Sequence, residues 1–244
     1  MSLVIYVDGE AKRPWEKFQK VVDDFGNIWK AKMGEMVAHH WALEHSEYRI
    51  LDPSEMTPWH INFQNILEKK CGYKLEQLRK TPEGFRKADA LNKELGVVVE
   101  VQYSNIEEKV LYDRTKFWVD LGFTVVWIFN DKKHANFEGK YKNQQRWSRQ
   151  PVWWRTFQEF RSNVEIIIQS PKLERIIIED AEGDEDIVEQ KTFYQIEEAS
   201  YRPRFKKAKF LCKTSPLTKR ELIRQLKGES FYDLYMQKVR ALKK

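Results

Sequence analysis

Residues 97–129 leave this chain few folds to choose from. Val97, Val98, Val99, Val101 and Tyr103 read as a strand. Asn105 stands where it can cap a helix running to about Leu121, with Ile106, Val110, Leu111, Phe117, Trp118 and Leu121 on one face and Gly122 at the C′ position. Residues 123–129 are apolar almost throughout and read as a buried strand. A strand, one helix and another strand in so short a length make a βαβ unit, whose strands lie parallel with a right-handed crossover. Ahead of it, Phe85 to Leu91 and the strand from Val97 read as a β-hairpin. The expected fold class is therefore α/β (α+β) with a mixed sheet.

The remaining segments are arranged around that unit. Leu3 to Val7 reads as a strand, and residues 15–43 carry apolar residues at helical intervals (Phe18, Val21, Val22, Phe25, Met33, Met36, Val37), which predicts two short helices, or a helix and turn, with interruptions near Gly26 and Gly34. Residues 52–58 hold turn and cap chemistry ahead of a helix with Trp59, Ile61, Phe63, Ile66 and Leu67 on its apolar face and His60 in its first turn. Beyond Asn130 the pattern predicts a Trp-rich helix over 152–160, strands over 164–168 and 175–178, an exposed acidic loop over 179–189, and a basic stretch over 201–227 ending in a helix from about Thr218. This divides the chain into an N-terminal helical and strand region (1–52), a core (53–180) and a basic C-terminal helical extension (190–244).

Composition narrows the setting. Mean hydropathy of -0.69 argues against a membrane protein, and 41% hydrophobic residues suffice for a packed core. Cys71 and Cys212 are the only cysteines, too few for a disulfide scaffold and too far apart for a zinc site, so a reducing, cytoplasmic setting is expected. A net charge of +6 favours an anionic partner, but 37 acidic residues offset most of the 43 basic ones, so any attraction must come from clustering.

The hairpin brings chemistry together. A loop of Lys93 to Gly96 would pair Asn92 with Val97, placing Asp89 opposite Glu100 and Lys87 opposite Gln102. Like charges directly opposite destabilise a sheet, and a divalent cation would neutralise both carboxylates. Mg²⁺, a hard ion that takes one or two carboxylates, a carbonyl and waters, is the natural candidate. The same two residues could instead face solvent on an exposed sheet surface, and spacing alone does not decide between these.

A wider pattern bears on the choice. Arg86-Lys87-Ala88-Asp89, then Glu100-Val101-Gln102-Tyr103-Ser104, then Arg114, then Val125-Val126-Trp127-Ile128-Phe129-Asn130, resembles the nuclease core of competence protein CoiA-like proteins, a group similar in turn to the PD-(D/E)xK nucleases. The resemblance covers roughly residues 60–130. It implies a restriction-endonuclease-like core in which Asp89, Glu100 and the Val101 carbonyl hold Mg²⁺ or Mn²⁺ for DNA phosphodiester hydrolysis. Gln102 occupies the place where the superfamily usually has lysine; it could orient water or phosphate, and Lys87, Lys109 or Lys116 are the candidates to supply the missing charge. Glu55 and His60 resemble the group's acid-and-histidine motif, and Arg114 the arginine that supports the site or touches phosphate. The group often carries an N-terminal cysteine-bearing zinc ribbon; those cysteines are missing here, so His39, His40 and His45 are expected to be non-ligands, with Trp41 and Leu43 packing beside them.

For DNA contact the best cluster is Tyr201 to Phe210, where Arg202, Arg204, Lys206, Lys207 and Lys209 interleave with aromatics able to stack on bases. A DNA-binding or recombination-accessory protein without turnover is the alternative, motivated by the missing lysine.

Overall fold

The computed structural model describes residues 2–33, 39–46, 50–51, 56–130, 144–147, 150–179, 185–202 and 209–228. The chain forms two compact units, residues 1–103 and 104–244.

The first unit opens with a hairpin of β1 (Ile5–Val7) and β2 (Glu10–Lys12). Strands β3 (Lys20–Val22), β4 (Ile28–Lys32) and β5 (His40–His45) then form an antiparallel sheet, which overturns the helical structure expected over residues 15–43. Local turn chemistry decides the matter. The Asp23 carboxylate accepts the backbone N–H groups of Phe25 and Asn27, each at 2.9 Å, and Gly26 sits at φ 81°, so the chain reverses where a helix would have to continue. Beyond the turn burial has period two: Trp29 and Ala31 face inward, Lys30 and Lys32 outward.

The next sheet carries the site. Strand β6 (Ile50–Leu51) runs parallel to β8 (Gly84–Asn92), and β8 pairs antiparallel with both β7 (Lys74–Thr81) and β9 (Val97–Gln102). Strand β7 has no counterpart in the sequence expectation, because Lys74, Glu76, Gln77, Arg79 and Lys80 break its apolar alternation. Helix α1 (Pro58–Cys71) starts as expected: Thr57 Oγ1 accepts the His60 N–H at 3.2 Å, Pro58 takes the first turn, and Gly72 closes the helix at φ 73°.

In the second unit α2 (Glu108–Asp120) has Glu107 at its N-cap position, two residues later than Asn105 and without a side-chain cap bond, and Gly122 follows its C-cap at φ 85° as expected. Strand β10 (Thr124–Asn130) is buried along nearly its whole length. Strand β11 (Gln144–Trp147) and helix α3 (Trp154–Glu159) precede β12 (Val164–Glu179), which lies parallel to β10, so the intervening chain is the crossover that a parallel pair demands. Antiparallel pairs then add β13 (Glu185–Arg202), β14 (Lys209–Leu217) and β11 in turn. The two strands expected over 164–168 and 175–178 are one, with an irregularity between Gln169 and Leu173. The acidic stretch expected as a loop to residue 189 pairs as strand from Glu185, since ladder hydrogen bonds are indifferent to side-chain polarity. Helix α4 (Lys219–Leu226) begins at Thr218 with a reciprocal capping box to Glu221.

Each unit thus mixes parallel and antiparallel pairs with helices, the mixed α/β fold expected from the sequence and one that accords with a restriction-endonuclease-like core. Among the described residues no helix is long and apolar enough to cross a membrane.

Glu165 of β12 is half-buried, and that partial desolvation pushes its carboxyl above the ordinary value against the hydrogen bond it accepts from Gln225 of α4 at 3.0 Å. A carboxyl raised by folding costs stability above its unfolded pKa, and that cost fades as pH falls. Glu165→Gln is expected to raise the melting temperature near pH 7 by more than near about pH 4, read by thermal unfolding at both.

Candidate active site

The register of β8 with β9 runs Asn92↔Val97, Leu91↔Val98, Ala90↔Val99, as the hairpin loop requires. The paired register ends at Ala90↔Val99, and Asp89 and Glu100 are the next residue along each strand. Neither faces solvent: Asp89 is 2% and Glu100 0% exposed, which removes the exposed-surface alternative. One step on, Asp89 Oδ2 accepts the Val101 N–H at 2.8 Å, so the carboxylate is held by the neighbouring strand's backbone. The other oxygen, Oδ1, lies 3.2 Å from His60 Nε2, delivered by the first turn of α1.

His60 is itself buried. Burial works against its charge, but the adjacent Asp89 carboxylate, with a smaller contribution from Glu76, outweighs it, and the imidazole pKa stands above its ordinary value. The Asp89 carboxylate thus favours the charged form of the buried imidazole 3.2 Å away.

A third acid belongs to the same row. In the β7–β8 ladder Leu75 pairs with Ala90 and Gln77 with Ala88, so Glu76 stands opposite Asp89 on the side away from Glu100. Its backbone takes φ 54°, a strained conformation for a residue with a Cβ, and its side chain is buried. Three groups compensate the carboxylate: Lys87 forms an ion pair with it, Gln64 Nε2 donates to Oε1 at 2.6 Å, and Ser2 Oγ donates to Oε2 at 3.3 Å while accepting from Lys87 Nζ at 3.3 Å. Gln64 Nε2 also reaches the Asp89 carbonyl at 3.3 Å, linking this network to the Asp89 backbone.

The sequence-predicted residues thus divide. Asp89, Glu100, Val101 and His60 gather around one strand pair and one helix turn, and Gln102 ends β9 half-buried. Lys87 is buried with its ammonium held by Glu76 and Ser2. Arg114, in the second unit, is buried on α2 with its guanidinium 5.3 Å from the Trp127 ring centre, a packing contact that ties α2 to β10. Lys209 begins β14, while Glu55, Arg204, Lys206 and Lys207 lie outside the described residues. His40 and His45 lie on β5, with His39 just before it, and no group of three or more His, Cys, Asp or Glu with metal-binding geometry occurs among the described residues. Gln64, Glu76 and Ser2 are the residues that sequence reading misses. Gln64 could have been found, since it follows His60 by four and so shares its helix face; Glu76 could not, without β7.

Do these groups suit a hard divalent ion? Such an ion needs only one or two carboxylates with a carbonyl and waters, and two carboxylates at adjoining strand positions, both excluded from bulk water, meet that donor requirement.

The sequence matches the family described as competence protein CoiA, nuclease-like domain, over residues 61–239, well past the segment that carries the motif resemblance and starting one residue after His60. No curated protein matches the chain.

The Glu76–Lys87 pair makes a test of the network. Lys87→Met strands a buried carboxylate and is expected to cost about 3–5 kcal/mol. Adding Glu76→Gln should recover a large part of that loss, so urea unfolding of the two single variants and the double variant should give strongly non-additive values.

Proposed function

Since the chain belongs to the family of competence protein CoiA nuclease-like domains, we propose that it is a metal-dependent nuclease that hydrolyses DNA phosphodiester bonds. The observation that carries this reading is the burial of Asp89 on β8 and Glu100 on β9, two strands that pair, with His60 set against Asp89. Two carboxylates on paired strands, both kept out of water, suit a hard divalent cation as a shared counter-ion.

In this proposal Asp89, Glu100 and the Val101 carbonyl hold Mg²⁺ or Mn²⁺. When bound, such an ion supplies Lewis acidity toward a phosphate oxygen and a water of lowered pKa. The chain's own residues do the rest. The Val101 N–H fixes one Asp89 oxygen, so the carboxylate cannot rotate away from the strand pair. Gln64 restrains the same residue through its carbonyl. The Gln102 amide, two residues beyond Glu100 on the same strand face, can donate to a phosphate oxygen or accept from the attacking water, but carries no charge. His60 balances the Asp89 charge before metal enters and remains as a buried donor beside it. Arg204, Lys206, Lys207 and Lys209 of the basic segment, with Arg114, are the proposed phosphate contacts.

One observation favours a second reading, a DNA-binding or recombination-accessory protein without turnover. Gln102 stands in the usual lysine position, and Lys87, the nearest substitute in sequence, is already engaged by Glu76.

Cleavage of labelled single- and double-stranded DNA with Mg²⁺, Mn²⁺ or EDTA separates the two. Metal-dependent cleavage is expected in the wild type and is expected to fall to background in Asp89→Ala and Glu100→Ala. Added Mg²⁺ should also raise the melting temperature of the wild type but not of Asp89→Ala. DNA binding with no cleavage under any metal would establish the accessory reading instead.

A further inference from the structure

The sheet β3–β4–β5 has two unlike faces. Trp29, Ala31 and Trp41 bury the inner one, while the outer one carries Lys20, Lys30 and Lys32. Lys20 stands directly opposite Lys30 in the ladder, a like-charge pair that weakens a sheet. A single acid, Glu44, answers them: it pairs with Lys20 at 2.7 Å, and that contact, aided by the charges of Lys30 and Lys32, holds its carboxyl below the ordinary value. At the entry to β3 sits Phe18, 61% exposed, with the ammonium groups of Lys17 and Lys30 at 5.3 Å and 5.5 Å from its ring centre. Its backbone φ is 64°, a genuine outlier for a bulky residue. An aromatic ring is thus kept in water, in the turn that the Gln19 N–H closes on the Glu16 carbonyl at 3.4 Å, with the Lys17 and Lys30 ammonium groups over it.

We propose that Phe18 with Lys17, Lys20, Lys30 and Lys32 forms a binding surface for single-stranded nucleic acid, separate from the Asp89–Glu100 site. A base stacks on the exposed Phe18 ring, and an ammonium displaced from that ring meets a flanking phosphate. Stacking is tolerant of sequence and needs an unpaired base, which is why a single strand suits this surface better than a duplex. The lysine pair loses its mutual repulsion when phosphate lies between its members. The proposal rests on the reading of the chain as acting on nucleic acid, and it adds to that reading a grip point on the N-terminal sheet.

The test uses the full chain in EDTA with a fluorescein-labelled oligothymidylate, read by anisotropy over a range of salt, alongside melting temperatures. Phe18→Gly is expected to weaken binding about tenfold, the scale of one lost stacking contact. Its melting temperature should hold or rise, because glycine adopts φ 64° without strain. A purely structural Phe18 would show the reverse. Phe18→Trp should keep the affinity, and Lys30→Gln should flatten the salt slope by about 0.7. Wild-type affinity in both Phe18→Gly and Lys30→Gln would overturn the surface while leaving the nuclease reading intact. So would a chain that cleaves DNA yet does not bind the oligonucleotide, or one that prefers duplex and is indifferent to Phe18→Gly. A chain that neither binds nor cleaves would remove both.

Discussion

The first unit is organised around a row of three buried acids, Glu76, Asp89 and Glu100, carried by three adjacent strands. Burying one carboxylate without compensation is costly, and in practice the group either finds partners or gives up its charge. Glu76 receives a lysine, an amide and a hydroxyl, and Asp89 receives a backbone N–H and a histidine. These partners come from α1, β8, β9 and the N-terminal residues, so the row ties those elements together.

Helix α1 shows the consequence for chemistry. Its polar residues His60 and Gln64 sit one turn apart on the buried face, with Leu67 and Cys71 continuing the stripe. A helix that packed by apolar contact alone would have no reason to bury an imidazole and an amide. Both side chains point at β8: one at the Asp89 carboxylate, the other at the Asp89 carbonyl and at Glu76. The Thr57 cap fixes the turn that carries His60, so a local backbone rule feeds directly into the geometry of the acid row.

How much of this is legible in the sequence depends on whether a segment's signal is local. The Asn92-to-Val97 turn sets the register of Asp89 and Glu100, and the cap and proline at Thr57 and Pro58 announce α1; both follow from residues a few positions apart. Residues 15–43 mislead because Val21, Val22 and Phe25 recur as on a helix, while the decisive event is a side-chain bond from Asp23 that reverses the chain. Strand β7 hides because its polar residues are paired through partners far away in sequence: Ser2 lies 74 residues from Glu76. The long strands β12 and β13 extend through acidic sequence because backbone pairing, from Leu173↔Lys191 to Glu179↔Glu185, carries them. Local rules thus locate the two carboxylates of the candidate site but not the network that holds them.

That network also changes what Lys87 can do. A lysine two residues from Asp89 on the same strand face looks, in sequence, like a source of the positive charge that Gln102 lacks. In the fold its ammonium is drawn to Glu76, and Ser2 closes the arrangement, with Ser2 itself tied to the N-terminal sheet by paired backbone bonds to Trp41 at 2.9 Å and 2.7 Å. Moving Lys87 toward a phosphate would leave Glu76 buried with only neutral partners, a change that costs several times the roughly 1 kcal/mol of an ordinary hydrogen bond. The charge that a PD-(D/E)xK lysine would bring must therefore come from elsewhere, or the site must work with a neutral amide in its place. Lys87 is better understood as the residue that makes it possible to bury Glu76, and through Gln64 to hold the Asp89 backbone in place.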